Sequence, residues 1–410
     1  MTVHVFTSAA FNYIPKARML FDSLRKYHPE WVLHLALCDA LRPDLDLSNE
    51  AVDSIMPVEQ LDIPNWKAWA FCHSIVELCT AIKPFALLKL LQHDDCDKVI
   101  YFDPDIVLFS RVDDIVAALD DGDVCLTPHL TVPEEKLSAV IDNEICALQH
   151  GVYNLGFIGV RASEEGQRFA DWWASRTYRF CRDDIPHGLF TDQRWIDMVP
   201  AFFEGAVIIR NPRHNVAPWN VNQRTVSGSL AEGLTIDGAP LGFYHFTGFD
   251  SGAHLGMSNR YATTNAAVSE LITWYSRRAA ELSQDPIAGT RWAFETFSNG
   301  ERIALAQRIV YRERIDLQAA FPDPFDANGF LVWWLTHGRE EYPNIFADPI
   351  NPALIGALFG VTAGFRAGVA SEDGRQKGEA QIGLRGLSRK VAKRGREILR
   401  TSGAARFLRS

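Results

Sequence analysis

The chain has 410 residues, 47% apolar and 11% aromatic, and a formal net charge of −10 at pH 7. That is more chain than one ordinary core holds, and too much apolar material for a disordered polymer, so two folded domains are expected. The charge is uneven, −18 over residues 1–365 and +8 over residues 366–410. An acidic body argues against non-specific nucleic-acid binding, whereas the basic end suits an anionic membrane surface.

Val3 to Phe6 opens an alternating apolar run without the charged start, long apolar core and cleavage site of a secretory signal, so a cytoplasmic protein is expected. The seven cysteines are scattered with no CxxC pair and read as reduced core residues. Val3–Thr7 reads as a strand, Pro15–Tyr27 as a helix and Trp31–Cys38 as a second strand. Ala68–Gln92 has helical periodicity broken at Pro84 and leads into a buried strand, Lys98–Phe102. A helix near Val112–Leu119, strands at Val124–Thr127 and Tyr153–Val160, and a helix over Glu164–Arg176 follow. This alternation argues for a mostly parallel α/β sheet with its ligand site beyond the carboxyl ends of the strands. After Tyr261 the pattern turns helical: Asn265–Leu282, Gly300–Arg312 and Gly329–Gly338. Pro352–Phe365 is apolar but too short to span a bilayer. Residues 366–383, rich in glycine and charge, read as a linker.

The strongest local signal is Asp103-Pro104-Asp105 behind the strand Val99–Phe102. Residues i and i+2 of an extended chain project to one side, so both carboxylates face one ion beyond the sheet. Hard oxygen donors suit Mg²⁺ or Mn²⁺, which binds through one or two carboxylates plus phosphate oxygens. Taken alone, the motif is equally a strand ending in a turn with two solvated acids. Two tandem tryptophans, Trp172-Trp173 and Trp333-Trp334, read as one ring in the core and one at its margin rather than as sugar-stacking platforms.

The ordered series Asp103-Pro104-Asp105, Asn154-Leu155-Gly156, Asp192-Gln193 and His245-Phe246-Thr247-Gly248 resembles the retaining GT-A glycosyltransferases of family 8, the lipopolysaccharide galactosyltransferase and glycogenin type. The resemblance covers roughly residues 1–260 and narrows toward a bacterial branch of surface-polysaccharide enzymes. It implies a GT-A Rossmann-like mixed sheet flanked by helices over 1–262; the helical pattern beyond reads as an appendage over 263–365, and composition and charge mark 366–410 as a linker with a basic amphipathic tail. The resemblance also implies transfer of a sugar from a nucleotide-diphosphate donor, UDP-sugar favoured, to a saccharide or lipid-linked acceptor. Asp103, Asp105 and His245 would hold the metal, Mn²⁺ ahead of Mg²⁺ because imidazole is a borderline ligand. Gly248 would let backbone approach the diphosphate. Asn154, Asp192 and Gln193 would contact the transferred sugar, and Gly156 belongs to the same motif. Lys83 would sit near the donor phosphates, and Thr7, Ser8 and Tyr13 fall where the nucleotide binds.

Two departures stand out. The acidic residue often found after the first strand is replaced by Ser8-Ala9-Ala10, and no Lys-Pro-Trp follows Gly248. Asp250 is left either as a sugar contact or as a turn former, and Asp192 alternatively as a helix cap before Trp195. Gln193 is a poor nucleophile, so front-face departure and attack is preferred to double displacement. The rival classes are a phosphatase of the haloacid dehalogenase kind, which also places DxD after an apolar strand, and a non-catalytic sugar-binding module. At the end of the chain, Leu384, Leu387, Val391, Ala392, Ile398 and Leu399 share one arc of a helix with cations mostly opposite, a pattern suited to an anionic membrane interface.

Overall fold

The structure is a computed structural model that describes residues 2–262 and 264–343. The expected linker over 366–383 and amphipathic helix over 384–410 lie outside the described residues. The described residues divide into two compact units, one within residues 2–66 and 75–293, the other within residues 67–74 and 294–343.

The first unit is built on a seven-stranded sheet. Its strands are β1 (Val3–Ala9), β2 (Val32–Leu37), β3 (Ser54–Pro57), β4 (Lys98–Phe102), β6 (Val124–Pro128), β7 (Tyr153–Arg161) and β10 (Ala206–Ile208). They lie in the order β10-β6-β7-β4-β1-β2-β3. Every residue of β1, β4 and β6 is buried, as expected for strands covered on both faces. The sheet is mixed, because β7 runs antiparallel to both β4 and β6. That reversal decides what meets at the ligand edge. Phe102 of β4 faces Phe157 and Pro128 of β6 faces Tyr153, so the start of β7 lies beside the carboxyl ends of β4 and β6. With Phe6 of β1 opposite Tyr101, the residues after β1, β4 and β6 share one edge with Asn154 and Gly156.

Three small sheets complete the unit. The hairpin β8 (Arg182–Asp184) and β9 (Leu189–Thr191) delivers the chain to Asp192. A meander of β11 (Val226–Ser229), β12 (Gly233–Ile236) and β13 (Ala239–Pro240) leads to β14 (Phe243–His245), which pairs antiparallel with β5 (Ile106–Leu108). The expected break at Pro84 is not where the helix stops. Helices Ile75–Ala81 and Lys83–Leu91 meet at Ile82, and Pro84 sits in the first turn of the second, where its missing N–H costs nothing.

Helix Ala266–Leu282 belongs to this unit, so the division falls at 293 rather than at the expected 262. Asn265 caps the helix by accepting from the Val268 N–H at 3.1 Å. Its apolar stripe, Val268, Leu271, Tyr275 and Ala279, closes a core with Val226, Leu234, Tyr244 and Phe246. Tyr275 stacks on Phe246 with centroids 3.7 Å apart.

In the second unit Phe71 is ringed by Phe297, Tyr311, Phe325 and Phe330. The Arg308 guanidinium donates to the carbonyls of Phe71, His73 and Phe294, which satisfies a buried charge with backbone dipoles. The helix expected from Gly300 begins only at Leu305, because Gly300 holds a left-handed φ of 84° and Ala304 stays extended. The tandem tryptophans behave as read: Trp173 and Trp334 are buried, and Trp172 and Trp333 lie at the margin.

Tyr275→Ala should cost about 3–5 kcal/mol in chemical denaturation, the usual loss for truncating a buried aromatic. A cost under about 1 kcal/mol would make helix Ala266–Leu282 an independent appendage.

Candidate active site

Asp103 is the first residue beyond β4, and its N–H donates to the Gly156 carbonyl at 2.7 Å, so the chain leaves the sheet while still held by β7. The Ile106 N–H returns to the Asp103 carbonyl at 3.0 Å, closing a tight turn that keeps both carboxylates on one side. Pairing of β5 with β14 puts His245 opposite Ile106. Two segments about 140 residues apart thereby converge.

His245 is 2% exposed. Its Nε2 lies 3.1 Å from Asp105 Oδ1 and 3.6 Å from Asp103 Oδ2, yet makes no hydrogen bond. The donor atoms of the three residues lie within 4.8 Å of one another. A buried imidazole nitrogen without a proton partner, aimed between two carboxylates, fits a divalent cation of the Mn²⁺ kind. Burial opposes charge on both partners, but each offsets that for the other. The Asp105 carboxyl is held below its usual range, and the His245 imidazole is raised by Asp105 and Asp103. A second group, His28, Glu30 and Asp113, is also close-set. Its capacity is spent, since His28 Nε2 accepts from the Val112 N–H and Arg111 holds both acids.

Gly156 makes room for the imidazole. A Cβ there would stand 2.4 Å from His245 Cε1. Asn154 Oδ1 accepts from the Gly156 N–H at 3.2 Å and lies 3.1 Å from His245 Nδ1.

Lys83 is buried, and its ammonium is already occupied. It donates to the Leu155 carbonyl at 3.1 Å and lies 3.3 Å from Asp192 Oδ2, 3.4 Å from Asp103 Oδ1 and 4.5 Å from the centroid of the Tyr101 ring. Burial disfavours its charge, but the two carboxylates raise its pKa nonetheless. Asp192 stands at the start of helix Gln193–Ile196 but makes no capping bond; its carboxylate turns to Lys83 instead. Burial pushes the Asp192 carboxyl up to about 6, against the pull of Lys83. Thr191 has a left-handed φ of 45°, a strained state for a β-branched residue, in the turn that feeds Asp192 into the interior. Gln193 is tied at both ends of its amide: Oε1 accepts from the Leu155 N–H at 2.9 Å and Nε2 donates to the His150 carbonyl at 3.1 Å.

The remaining expected residues divide. Ser8 Oγ is engaged by the Cys79 carbonyl and Tyr101 Oη, whereas the buried Thr7 Oγ1 has no hydrogen-bond partner. Burial and the nearby Asp105 raise the Tyr13 hydroxyl well above its usual range. Gly248 has a left-handed φ of 69°, and Asp250 is paired with Lys16.

Sequence reading missed Tyr101, which donates to Asp103 Oδ1 at 2.5 Å, His129, which lies 3.2 Å from Asn154 Nδ2, and Trp219, whose ring stands edge-on to His245. His129 follows the carboxyl end of β6, a position that marks ligand-facing residues in such sheets. Nothing local marks Trp219.

No protein-family model matches the chain. In backbone it is similar to solved glycosyltransferases. One is a galactosyltransferase, LgtC, in complex with donor and acceptor sugar analogues: 16% identity, TM-score 0.41, covering 70% of this chain and 98% of that one. Another is mouse xyloside xylosyltransferase 1 in its apo form, at 12% identity and a TM-score of 0.37, covering 60% and 98%. Likeness at these scores assigns no activity. In sequence it is similar to two uncharacterized Bacillus subtilis (strain 168) proteins, YfnF, at 30% identity over 178 residues, and YfnD, at 25% over 253. These matches cover 42% and 60% of this chain, and the chain spans 57% of YfnF and 78% of YfnD.

Because the folded Asp192 carboxyl titrates near 6 against an ordinary 3.8, the native state holds its proton more tightly than the unfolded chain does. Its contribution to stability therefore falls as pH rises through that window. The unfolding free energy of Asp192→Asn relative to wild type should shift in favour of the variant by up to about 3 kcal/mol between pH 4 and pH 7, read from urea midpoints. A constant difference would show that Asp192 titrates normally.

Proposed function

We propose that the chain is a glycosyltransferase that moves a sugar from a nucleotide-diphosphate donor, UDP-sugar favoured, to a saccharide or lipid-linked acceptor with retention of configuration, using a divalent cation. The observation that carries this reading is the convergence of Asp103, Asp105 and an unpartnered, buried His245 Nε2 at the carboxyl edge of the sheet. When bound, the cation supplies neutralisation of the negative charge that grows on the departing diphosphate.

The chain's own residues do the rest by position. Lys83 orients the Asp103 and Asp192 carboxylates and offsets their mutual repulsion, so it acts on the donor through Asp103 rather than as a free phosphate ligand. Asp192 and Gln193 stand beside the transferred sugar in this reading, Gln193 through the second lone pair of Oε1 and Asp192 next to it with its carboxylate held by Lys83. Thr7, near the end of β1, and Tyr13, after it, face the nucleotide in this reading, and the left-handed turn at Gly248 brings backbone toward the diphosphate. Residues 384–410 are the proposed contact with an anionic membrane at its cytoplasmic face. Among the described residues no helix is long and apolar enough to cross a membrane.

The test is turnover of UDP-, GDP- and dTDP-sugars with Mn²⁺, with and without acceptor. Wild type should release nucleoside diphosphate, slowly without acceptor, and the product should keep the donor's anomeric configuration by NMR. Asp105→Asn should lose at least about 100-fold while staying folded. Release of inorganic phosphate would favour a phosphatase, no release a binding module, and an Asp105→Asn variant of normal activity would misplace the metal site.

A further inference from the structure

Asn154 and His129 lie behind His245, and the polarity of every bond among them is determined by its neighbours. At one end, His129 Nδ1 lies 3.2 Å from the Val152 carbonyl. A carbonyl only accepts, so Nδ1 carries the proton and His129 Nε2 presents a lone pair. That nitrogen is 3.2 Å from Asn154 Nδ2, which donates to it. At the other end, the Gly156 N–H, which only donates, points at Asn154 Oδ1 from 3.2 Å. Both contacts place the amide oxygen toward His245. Asn154 Oδ1 must then accept from His245 Nδ1, 3.1 Å away, so Nδ1 carries the proton. In the neutral ring, the form that can ligate a cation, His245 Nε2 is left with its lone pair directed at Asp103 and Asp105.

We infer that Val152, His129 and Asn154 form a relay that locks the His245 ring in its Nδ1–H tautomer and so readies Nε2 as a ligand atom. The relay rests on the reading of Asp103, Asp105 and His245 as a cation site. It gives Asn154 a positioning role in place of the sugar contact expected from sequence, and gives His129 a role at a place where no motif marks it. The physical reason is general: a ligating imidazole binds well when its other nitrogen donates to a fixed acceptor, and loss of such an acceptor typically weakens metal binding by about 10–100-fold. Trp219, edge-on to both His129 and His245, holds the two rings in place. Gly156 serves the relay twice, by its N–H and by the space its missing Cβ leaves.

Two measurements on the full-length protein test this. The first is Mn²⁺ titration followed by the electron paramagnetic resonance of the free ion. The second is the tautomer of His245, read by long-range ¹⁵N–¹H NMR on ¹⁵N-histidine protein without metal and assigned with a His245→Gln control. Wild type should bind Mn²⁺ and show His245 protonated at Nδ1. Asn154→Leu should bind about 10–100-fold more weakly and shift His245 toward the Nε2–H form. Asn154→Asp, which still accepts from Nδ1, should keep the Nδ1–H tautomer and bind within a few-fold of wild type. His129→Phe, which frees the amide to turn, should weaken binding in the same direction as Asn154→Leu, and it serves if that variant does not fold. Wild-type affinity or an unchanged tautomer in Asn154→Leu, or in His129→Phe where that variant stands in, would overturn the relay. If wild type itself bound no Mn²⁺, the cation reading would fail, and the tautomer of His245 in these variants would still decide whether the relay exists.

Discussion

The site depends on a close approach between β7 and the ring of His245. The imidazole lies so near Gly156 that no side chain fits at that position. The approach exists because β7 runs against its neighbours, which brings its amino end to the carboxyl edge of β4, where Asp103 and Asp105 emerge. A parallel strand in that place would present its carboxyl end there, and the loop after it in place of Asn154 and Gly156. One reversal in an otherwise parallel sheet thus places a glycine, an amide and two carboxylates around a single imidazole.

Charge is the second constraint. Asp103, Asp105 and Asp192 gather in a region where burying a lone carboxylate costs several kcal/mol. The Lys83 ammonium offsets part of this by standing between Asp103 and Asp192, and the Leu155 carbonyl and the face of Tyr101 satisfy what remains of it. The compensation is incomplete for Asp192, whose carboxyl burial still pushes up to about 6. The strained Thr191 is the backbone counterpart: a left-handed β-branched residue persists only where surrounding contacts hold it, here the paired β8 and β9 and the turn into helix Gln193–Ile196. The interior around the candidate site is therefore held by opposing costs rather than by apolar packing alone.

Much of the scaffold was legible along the chain. The strand Lys98–Phe102 was read to the residue, and β1, β2, β6 and β7 to within two residues at either end, because continuous apolar runs bounded by polar turns have few other uses. Asp103 and Asp105 were expected on one side from the period of an extended chain, whereas a tight turn closed by the Ile106 N–H is what brings them together. What misled was local chemistry without its neighbours. Pro84 read as a break, but a proline at the second helical position is a start signal. Lys83 read as a cation near the donor phosphates, and nothing in its own segment announces the two carboxylates, from Asp103 and Asp192, that it meets in the interior. Helix Ala266–Leu282 read as part of an appendage, because an apolar stripe does not say what it covers.

The sequence by itself determined the order of elements, the DxD pair at a strand end, and the residue types able to hold a hard cation, since these follow from short-range periodicity and donor chemistry. Tertiary structure decided how the imidazole of His245 is brought to the carboxylates, that Gly156 is there for space, that Asn154 faces His245 with its oxygen, and that Lys83 is enclosed. Each of those is a contact between segments far apart in the chain. Its geometry is set by strand direction and register, which no local window of residues contains.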